Sequence, residues 1–288
     1  MHALSRPAVS TSVINDAFVK DAAAYFRKLQ DRICASFEGF EDTTRFEQTE
    51  WERPAGHRLK GGGRMRVMRG KVFEKVGVNV SHVWGTLSDE GIKQVHGAKE
   101  SGGAFVATGI SLVSHMANPM VPIVHMNLRL MATSRCWFGG GADLTPTFPI
   151  DEDTMEFHES LRAACDRYRP DAYAQYKQWC DRYFYLPHRQ EPRGVGGIFF
   201  DDLNSGDLGQ DFSFVRDVGN AFVETYPKIV ARRQHMAFTD DDLQKLMIKR
   251  GRYVEFNLVY DRGTKFGFAT DANPDAYLMS MPPTAKWP

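Results

Sequence analysis

P-I-V-H-M-N-L-R-L-M-A-T-S-R-C-W-F-G-G-G-A-D-L-T-P, residues Pro122 to Pro146, alternates with period two through its first half. Side chains switch faces at each residue of a strand. Val124, Met126, Leu128 and Leu130 therefore share an apolar face, and His125, Asn127 and Arg129 share the other. A proton carrier, an amide and a guanidinium in a row differ from the Lys, Glu, Thr and Ser of an ordinary solvated face. In the second half, Trp137-Phe138 leads into Gly139-Gly140-Gly141, and Asp143 stands just before Leu144-Thr145-Pro146, where the strand should stop. Glycines in such a context are tolerated where another backbone or a flat ligand comes close. A phosphate loop is the weaker reading, because no Lys-Ser or Lys-Thr follows and Pro146 spoils a helix start. A histidine, an arginine and an aspartate on one bare surface suit a flat, anionic, protonatable molecule.

Working outward, Gly103–His115 reads as a strand that returns antiparallel into this segment through the Ala117-Asn118-Pro119 turn. A hairpin symmetric about residue 120 sets His115 opposite His125, Val113 opposite Asn127 and Ser111 opposite Arg129. Upstream, residues 12–38 have helical periodicity, with Gly39 as the stop. The glycine-rich, basic stretch Gly61–Gly70 is either a solvated face or a mobile basic flap, and residues 71–84 read as a further strand. Downstream, Asp151-Glu152-Asp153 opens a helix whose apolar stripe carries His158, read as a buried, hydrogen-bonded core histidine in preference to a ligand. A second helix carries Tyr173, Tyr176 and Cys180, followed by a loop where His188, Arg189 and Arg193 concentrate positive potential. Gly194–Phe200 reads as a buried strand ending in Asp201-Asp202. Residues 211–235 and 239–250 are helical, the latter capped by Thr239 and stopped by Gly251. Tyr253–Arg262 alternates as a strand, with Asp261-Arg262 in the turn after it.

The 288 residues carry 36 Lys+Arg and 36 Asp+Glu, so the formal net charge is zero and nothing global favours nucleic acid or an acidic membrane. No apolar run approaches the length of a membrane span. Cys34, Cys136, Cys165 and Cys180 form no C-x-x-C pair. With no secretory signal, reduced thiols and a cytoplasmic location are expected. Residues 1–11 read as a flexible N-terminus and residues 12–288 as one catalytic domain.

Five ordered blocks now add up to a family. V-F-E-K-V-G-V-N-V-S-H-V (72–83), V-P-I-V-H-M-N-L-R (121–129), W-F-G-G-G-A-D-L-T-P (137–146), Y-F-Y-L-P-H-R-Q-E-P-R-G-V-G-G-I-F-F-D-D-L (183–203) and R-Y-V-E-F-N-L-V-Y-D-R-G-T-K-F-G (252–267) resemble the oxygen-dependent coproporphyrinogen III oxidases of haem biosynthesis. The resemblance runs from about residue 15 to the C-terminus. It implies an α/β fold of the α+β type, a single domain with a large, flat antiparallel sheet covered by helices on both faces. It implies a homodimer formed through the C-terminal region. The implied reaction is oxidative decarboxylation of two propionates of coproporphyrinogen III to vinyl groups, with dioxygen as co-substrate. No flavin, nicotinamide or haem motif is present, so no required cofactor is expected.

Matched residue by residue, the resemblance makes His125 the proton donor and Asp143 and Asp261 the aspartates that engage the pyrrole N–H groups. It places Ser111, Asn127, Leu128, Arg129, Asp271, Ala272 and Asn273 in substrate binding, where many relatives carry Gly-Gly at the Asp271-Ala272 position. Arg129 and Arg262, with Arg193 as a third candidate, suit bidentate binding of the carboxylates, and glycines 139–141 would let the macrocycle approach. His115, His125, His158 and His188 match divalent-metal positions of bacterial relatives, yet their spacing is unlike a compact metal motif and a metal-free enzyme is expected. Two rival readings are a metal-dependent hydrolase or oxygenase built on those histidines, and a non-catalytic tetrapyrrole carrier.

Overall fold

The computed structural model describes residues 16–269 and 273–288. Helix α1 (Asp16–Glu38) precedes strands β1 (Glu47–Glu52), β2 (Leu59–Met68) and β3 (Lys75–Thr86), the short helix α2 (Asp89–Gln94), and strands β4 (Ala104–His115), β5 (Ile123–Ala132) and β6 (Cys136–Thr145). Helices α3 (Asp151–Tyr168) and α4 (Ala172–Tyr183) then lead through a small hairpin, β7 (Tyr185–Leu186) and β8 (Glu191–Pro192), into β9 (Gly196–Leu203). The chain closes with α5 (Leu208–Arg233), α6 (Asp240–Val259), α7 (Arg262–Ala269) and α8 (Pro274–Tyr277), followed by a 3-10 turn at Leu278–Ser280. Seven strands form one antiparallel sheet in the order β1-β2-β3-β4-β5-β6-β9. The fold is α+β, as expected.

The alternation in β5 sets the two sides of the sheet. Val124, Met126, Leu128 and Leu130 are buried in the main core, with Val78 and Val80 of β3, Ile110 and Leu112 of β4, and Phe26 and Leu29 of α1. Val218 and Phe222 of α5 complete that layer. Each such side chain contributes about 1.5–3 kcal/mol on burial, so a one-residue slip, which would turn all four outward, is strongly disfavoured. On the opposite face α6 packs Leu246 and Tyr253 against Val113 and Ile123. The C-terminal segment lies alongside: Asn79 donates to the Ala276 carbonyl (2.9 Å), and Lys75 to that of Met281 (2.6 Å). Between these covers runs a half-buried polar strip that includes Asn79, Ser81, Ser111, His125, Asn127 and Arg129.

Four expectations are corrected. The β4–β5 register pairs Val113 with His125, Ser111 with Asn127 and Gly109 with Arg129, two residues away from the symmetric hairpin. Asn118 shapes that turn: its Oδ1 accepts from the Met120 N–H (2.9 Å), and its carbonyl from that of Val121 (3.1 Å). A shift of two preserves the faces, so the polar set stays together. The basic stretch 61–70 is no flap, because Leu59–Met68 is paired on both sides and Arg64 and Arg66 both reach Asp31 (2.6 and 2.8 Å).

Gly251 does not stop a helix, and Tyr253–Arg262 is not a strand. Helix α6, started by a reciprocal Thr239–Asp242 capping box, runs on to Val259. Its buried positions Leu246, Arg250, Tyr253 and Asn257 recur at spacings of three and four. Burial of that stripe overrides the local two-residue pattern. Gly251 is small because the C-terminal tail crosses it: a Cβ there would lie 2.6 Å from the Lys286 carbonyl oxygen.

Candidate active site

The polar face of β5 is wired end to end. Arg129 Nη1 donates to Asn127 Oδ1 (3.4 Å), Asn127 Nδ2 meets His125 Nε2 (3.1 Å), and His125 Nδ1 meets Asp143 Oδ1 (2.8 Å). The arginine pins the amide oxygen, so the amide N–H₂ points at Nε2 and makes that nitrogen the acceptor. Nδ1 then carries the proton and donates to Asp143. Nε2 is thereby turned toward the polar strip and Nδ1 toward Asp143.

Asp143 is buried and its two oxygens are clamped by Arg193, through Nε (3.2 Å) and Nη2 (2.7 and 2.8 Å). Burial alone would push this carboxyl up. Arg193 and the hydrogen-bonded His125 outweigh it and hold the group below its ordinary value. Arg193 is itself buried, with its guanidinium over the rings of Phe184 (3.9 Å), Tyr253 (4.6 Å) and Phe256 (4.7 Å). Its Nη1 donates to Asn257 Oδ1 (3.3 Å). Enclosed in this way, it cannot serve as the third carboxylate holder that its loop position suggested.

At the other end, Arg129 Nη2 lies 2.8 Å from Asp201 Oδ1, and Arg262 Nη2 lies 3.8 Å from Asp201 Oδ2. The Arg262 guanidinium stands over Tyr183 (5.2 Å) and Phe199 (5.8 Å). The Tyr183 hydroxyl donates to Asp261 Oδ1 (3.0 Å) and accepts the Arg262 backbone N–H (3.1 Å). Burial, and then the Asp261 carboxylate, push this phenol up to about 12, so it stays a donor. Asp261 Oδ2 accepts the Thr264 N–H (2.6 Å), capping the first turn of α7.

His125, Asn127, Arg129, Asp143, Asp261 and Arg262 thus belong to one connected assembly, and Ser111 lies directly opposite Asn127 on the same face. Other candidates fall elsewhere. The Leu128 side chain is in the core on the far face. Asn273 caps α8 through Asp275 N–H (3.0 Å), and its Nδ2 lies 3.9 Å from Met65 Sδ. Asp271 and Ala272 lie outside the described residues. Gly139–Gly141 are buried, and the space of each missing Cβ is taken by protein: Arg129 and Asp201 at Gly139, Asn127 and Leu128 at Gly140, β9 backbone at Gly141. Close approach within the protein explains the triplet, as one of its two readings anticipated.

The four candidate metal histidines have four separate surroundings. His115 Nε2 meets the Ser280 carbonyl (2.8 Å), and burial lowers its pKa to about 3. His158 lies between the Tyr173 hydroxyl (2.8 Å) and the Val195 carbonyl (3.0 Å). His188 lies between Glu255 Oε2 (2.7 Å) and the Tyr260 hydroxyl (2.8 Å). Among the described residues no three His, Cys, Asp or Glu side chains group so as to hold an ion. The residues present do not fit a shared metal site.

Sequence reasoning missed Asp201, Tyr183 and Asn257 as parts of the assembly. Asp201 stood in a conspicuous Asp-Asp pair at a strand end. Tyr183 had no signal beyond its aromatic neighbours.

Guanidinium, carboxylate and imidazole groups gathered along one sheet face and the start of α7 have the chemistry to bind an anionic ligand and exchange protons with it. Comparison with known proteins makes this specific. The family model for coproporphyrinogen III oxidase matches residues 21–288. An oxygen-dependent coproporphyrinogen-III oxidase of Rickettsia bellii (strain RML369-C) is 50% identical over 274 residues, covering 92% of this chain and 96% of the relative. The enzyme of the same description from Rickettsia akari (strain Hartford) is 49% identical over 272 residues, covering 91% and 96%. The chain belongs to the coproporphyrinogen III oxidase family.

Proposed function

We propose that this chain converts two propionate side chains of coproporphyrinogen III to vinyl groups, with dioxygen as the oxidant. The observation that carries the reading is the chain of contacts from Asp143 through His125, Asn127 and Arg129 on the sheet face to Asp201, with Arg262 of α7 paired to the same Asp201 carboxylate at 3.8 Å. Each round balances. A propionate loses carbon dioxide, a hydride equivalent leaves the adjacent carbon, and dioxygen takes that hydride with one proton to become hydrogen peroxide. The chain's own groups bind, orient and move protons. Arg129 and Arg262 hold ligand carboxylates. His125 moves a proton at Nε2, the ring nitrogen that faces Asn127. Asp143, kept ionised by Arg193, stabilises the imidazolium that forms. Asp261, held by Tyr183 and Thr264, presents its remaining lone pairs to the pyrrole N–H groups.

Residues 12–288 act as one catalytic unit and work as a homodimer through the C-terminal region. Supporting this, Leu258, Val259 and Phe268 are each about half exposed there. All four cysteines are unpaired and buried, in keeping with a reducing, cytoplasmic setting. The test is incubation with coproporphyrinogen III in air, scoring carbon dioxide and peroxide per vinyl formed. Equal yields of all three are expected, and absence of vinyl product would refute the reading.

A further inference from the structure

We propose that Asp201 is a resident competitor for the guanidinium groups of Arg129 and Arg262, and that it sets how tightly the site holds a ligand by its carboxylates. The inference rests on the function proposed above and deepens it. Arg129 and Arg262 come from β5 and α7, far apart in sequence, and both turn a guanidinium toward the same carboxylate. That carboxylate is only partly exposed, whereas Arg262 is more than half exposed and Arg129 about one third. Asp201 thus takes up the guanidinium groups that a ligand carboxylate would need.

The placement is built by three features. Gly139 leaves the room: a Cβ there would lie 2.6 Å from Asp201 Oδ1 and 2.8 Å from Arg129 Nη2. The β6–β9 register shifts between Phe138 and Gly140, so that Phe138 pairs with Leu203 while Gly140 pairs with Phe200. The extra β9 residue re-aims the side chains around it. Asp202, beside it, adopts a left-handed backbone (φ 56°) that few non-glycine residues take up. Its carboxylate is anchored by His96 (2.7 Å) and Arg135 (3.4 Å), and its N–H donates to Asp201 Oδ1 (2.9 Å). A strained, doubly anchored bulge serves to hold the Asp201 carboxylate in place.

The electrostatic consequence has a sign. Arg129, Arg262 and Asp201 together carry a net charge of one positive, where the arginines alone would carry two. An incoming carboxylate meets repulsion from Asp201 and finds donors already engaged. It is held less tightly than the bare pair would hold it. The benefit lies at the end of the cycle. When a propionate departs as carbon dioxide the guanidinium it faced keeps a carboxylate partner, so product leaves without stranding an unpaired, partly buried cation. Asp201 trades affinity for release, and it does so only for ligands that bind through carboxylates.

The test uses the full chain and two stable porphyrin probes, coproporphyrin III with four carboxylates and its uncharged tetramethyl ester, titrated by fluorescence quenching. Asp201→Asn and Asp201→Ser are both examined, each checked for native melting, and each retains an acceptor for the Asp202 N–H. Both should bind coproporphyrin III about fivefold more tightly than wild type, the scale of a partly exposed ion pair. The gain should shrink with added salt, and the ester should bind all three proteins alike. Unchanged or weaker binding of coproporphyrin III by a folded variant would overturn the proposal, as would an equal gain for the ester. If wild type turns over coproporphyrinogen III while neither variant binds more tightly, the competitor role fails and the reaction stands. If the variants show the gain while wild type forms no vinyl product, the reaction fails and the competitor role stands.

Discussion

Replacing Arg193 by Gln should unfold much of this protein's margin of stability, and the loss should depend on pH in a direction opposite to wild type. Arg193 makes three contacts of 2.7–3.2 Å to Asp143, and both partners are almost wholly buried. Removing one partner leaves a buried charge uncompensated, which costs about 3–5 kcal/mol. The loss also includes the stacking of the guanidinium on Phe184, Tyr253 and Phe256. In wild type the Asp143 carboxyl lies below its ordinary 3.8, so its contribution is complete above that value and is lost as pH falls through the lower, folded value. Without Arg193 the largest remaining influence is burial, which raises the folded value above the unfolded one. The carboxyl is then least harmful at low pH, and its penalty grows as pH rises through the raised value. The stability gap should therefore widen from about pH 5 to about pH 8. Urea denaturation followed by circular dichroism at both pH values measures this. Arg193→Met combined with Asp143→Asn should recover most of the loss, since no buried charge remains. A gap under about 1 kcal/mol that does not change with pH would show that the pair contributes little and that Asp143 is not held by Arg193.

Three further outcomes are expected. Asp261→Asn keeps an acceptor for the Thr264 N–H and should melt like wild type while losing most turnover, whereas Asp261→Ala should also lose about 1 kcal/mol from the missing cap; unimpaired turnover by the Asn variant would remove the carboxylate from the chemistry. Glu255, hydrogen-bonded by Arg189, His188 and Trp287, has its carboxyl lowered from 4.5 to about 2; its contribution is present above 4.5 and lost as pH falls toward 2, so Glu255→Gln should flatten acid unfolding across that window, and an unchanged acid limb would contradict the pairing. Dialysis against a chelator, with metal content measured before and after, should leave turnover unchanged, because the four candidate histidines serve four separate hydrogen-bond sets; loss of activity restored by a divalent ion would reverse this.

The alternation of residues 122–132 was enough to say which side chains share a face, because strand geometry leaves no other choice. It placed His125, Asn127 and Arg129 together, and the conclusion survived a hairpin register displaced by two. Helix α6 shows the opposite case. Tyr253–Arg262 satisfies a two-residue period, and only the packing of Leu246, Arg250, Tyr253 and Asn257 against the sheet and its neighbours selects the helical one. Likewise nothing local distinguishes Arg193 from the exposed Arg189 four residues earlier. Its burial follows from Phe184, just past the end of α4, and above all from Tyr253 and Phe256, which α6 brings in from about sixty residues further along the chain. Periodicity is a property of neighbours along the backbone, so the sequence by itself settled the faces of the sheet and the family of the protein. Which charge meets which depends on contacts across many tens of residues, and only the tertiary structure could set Asp201 between two arginines and Arg193 beneath Asp143.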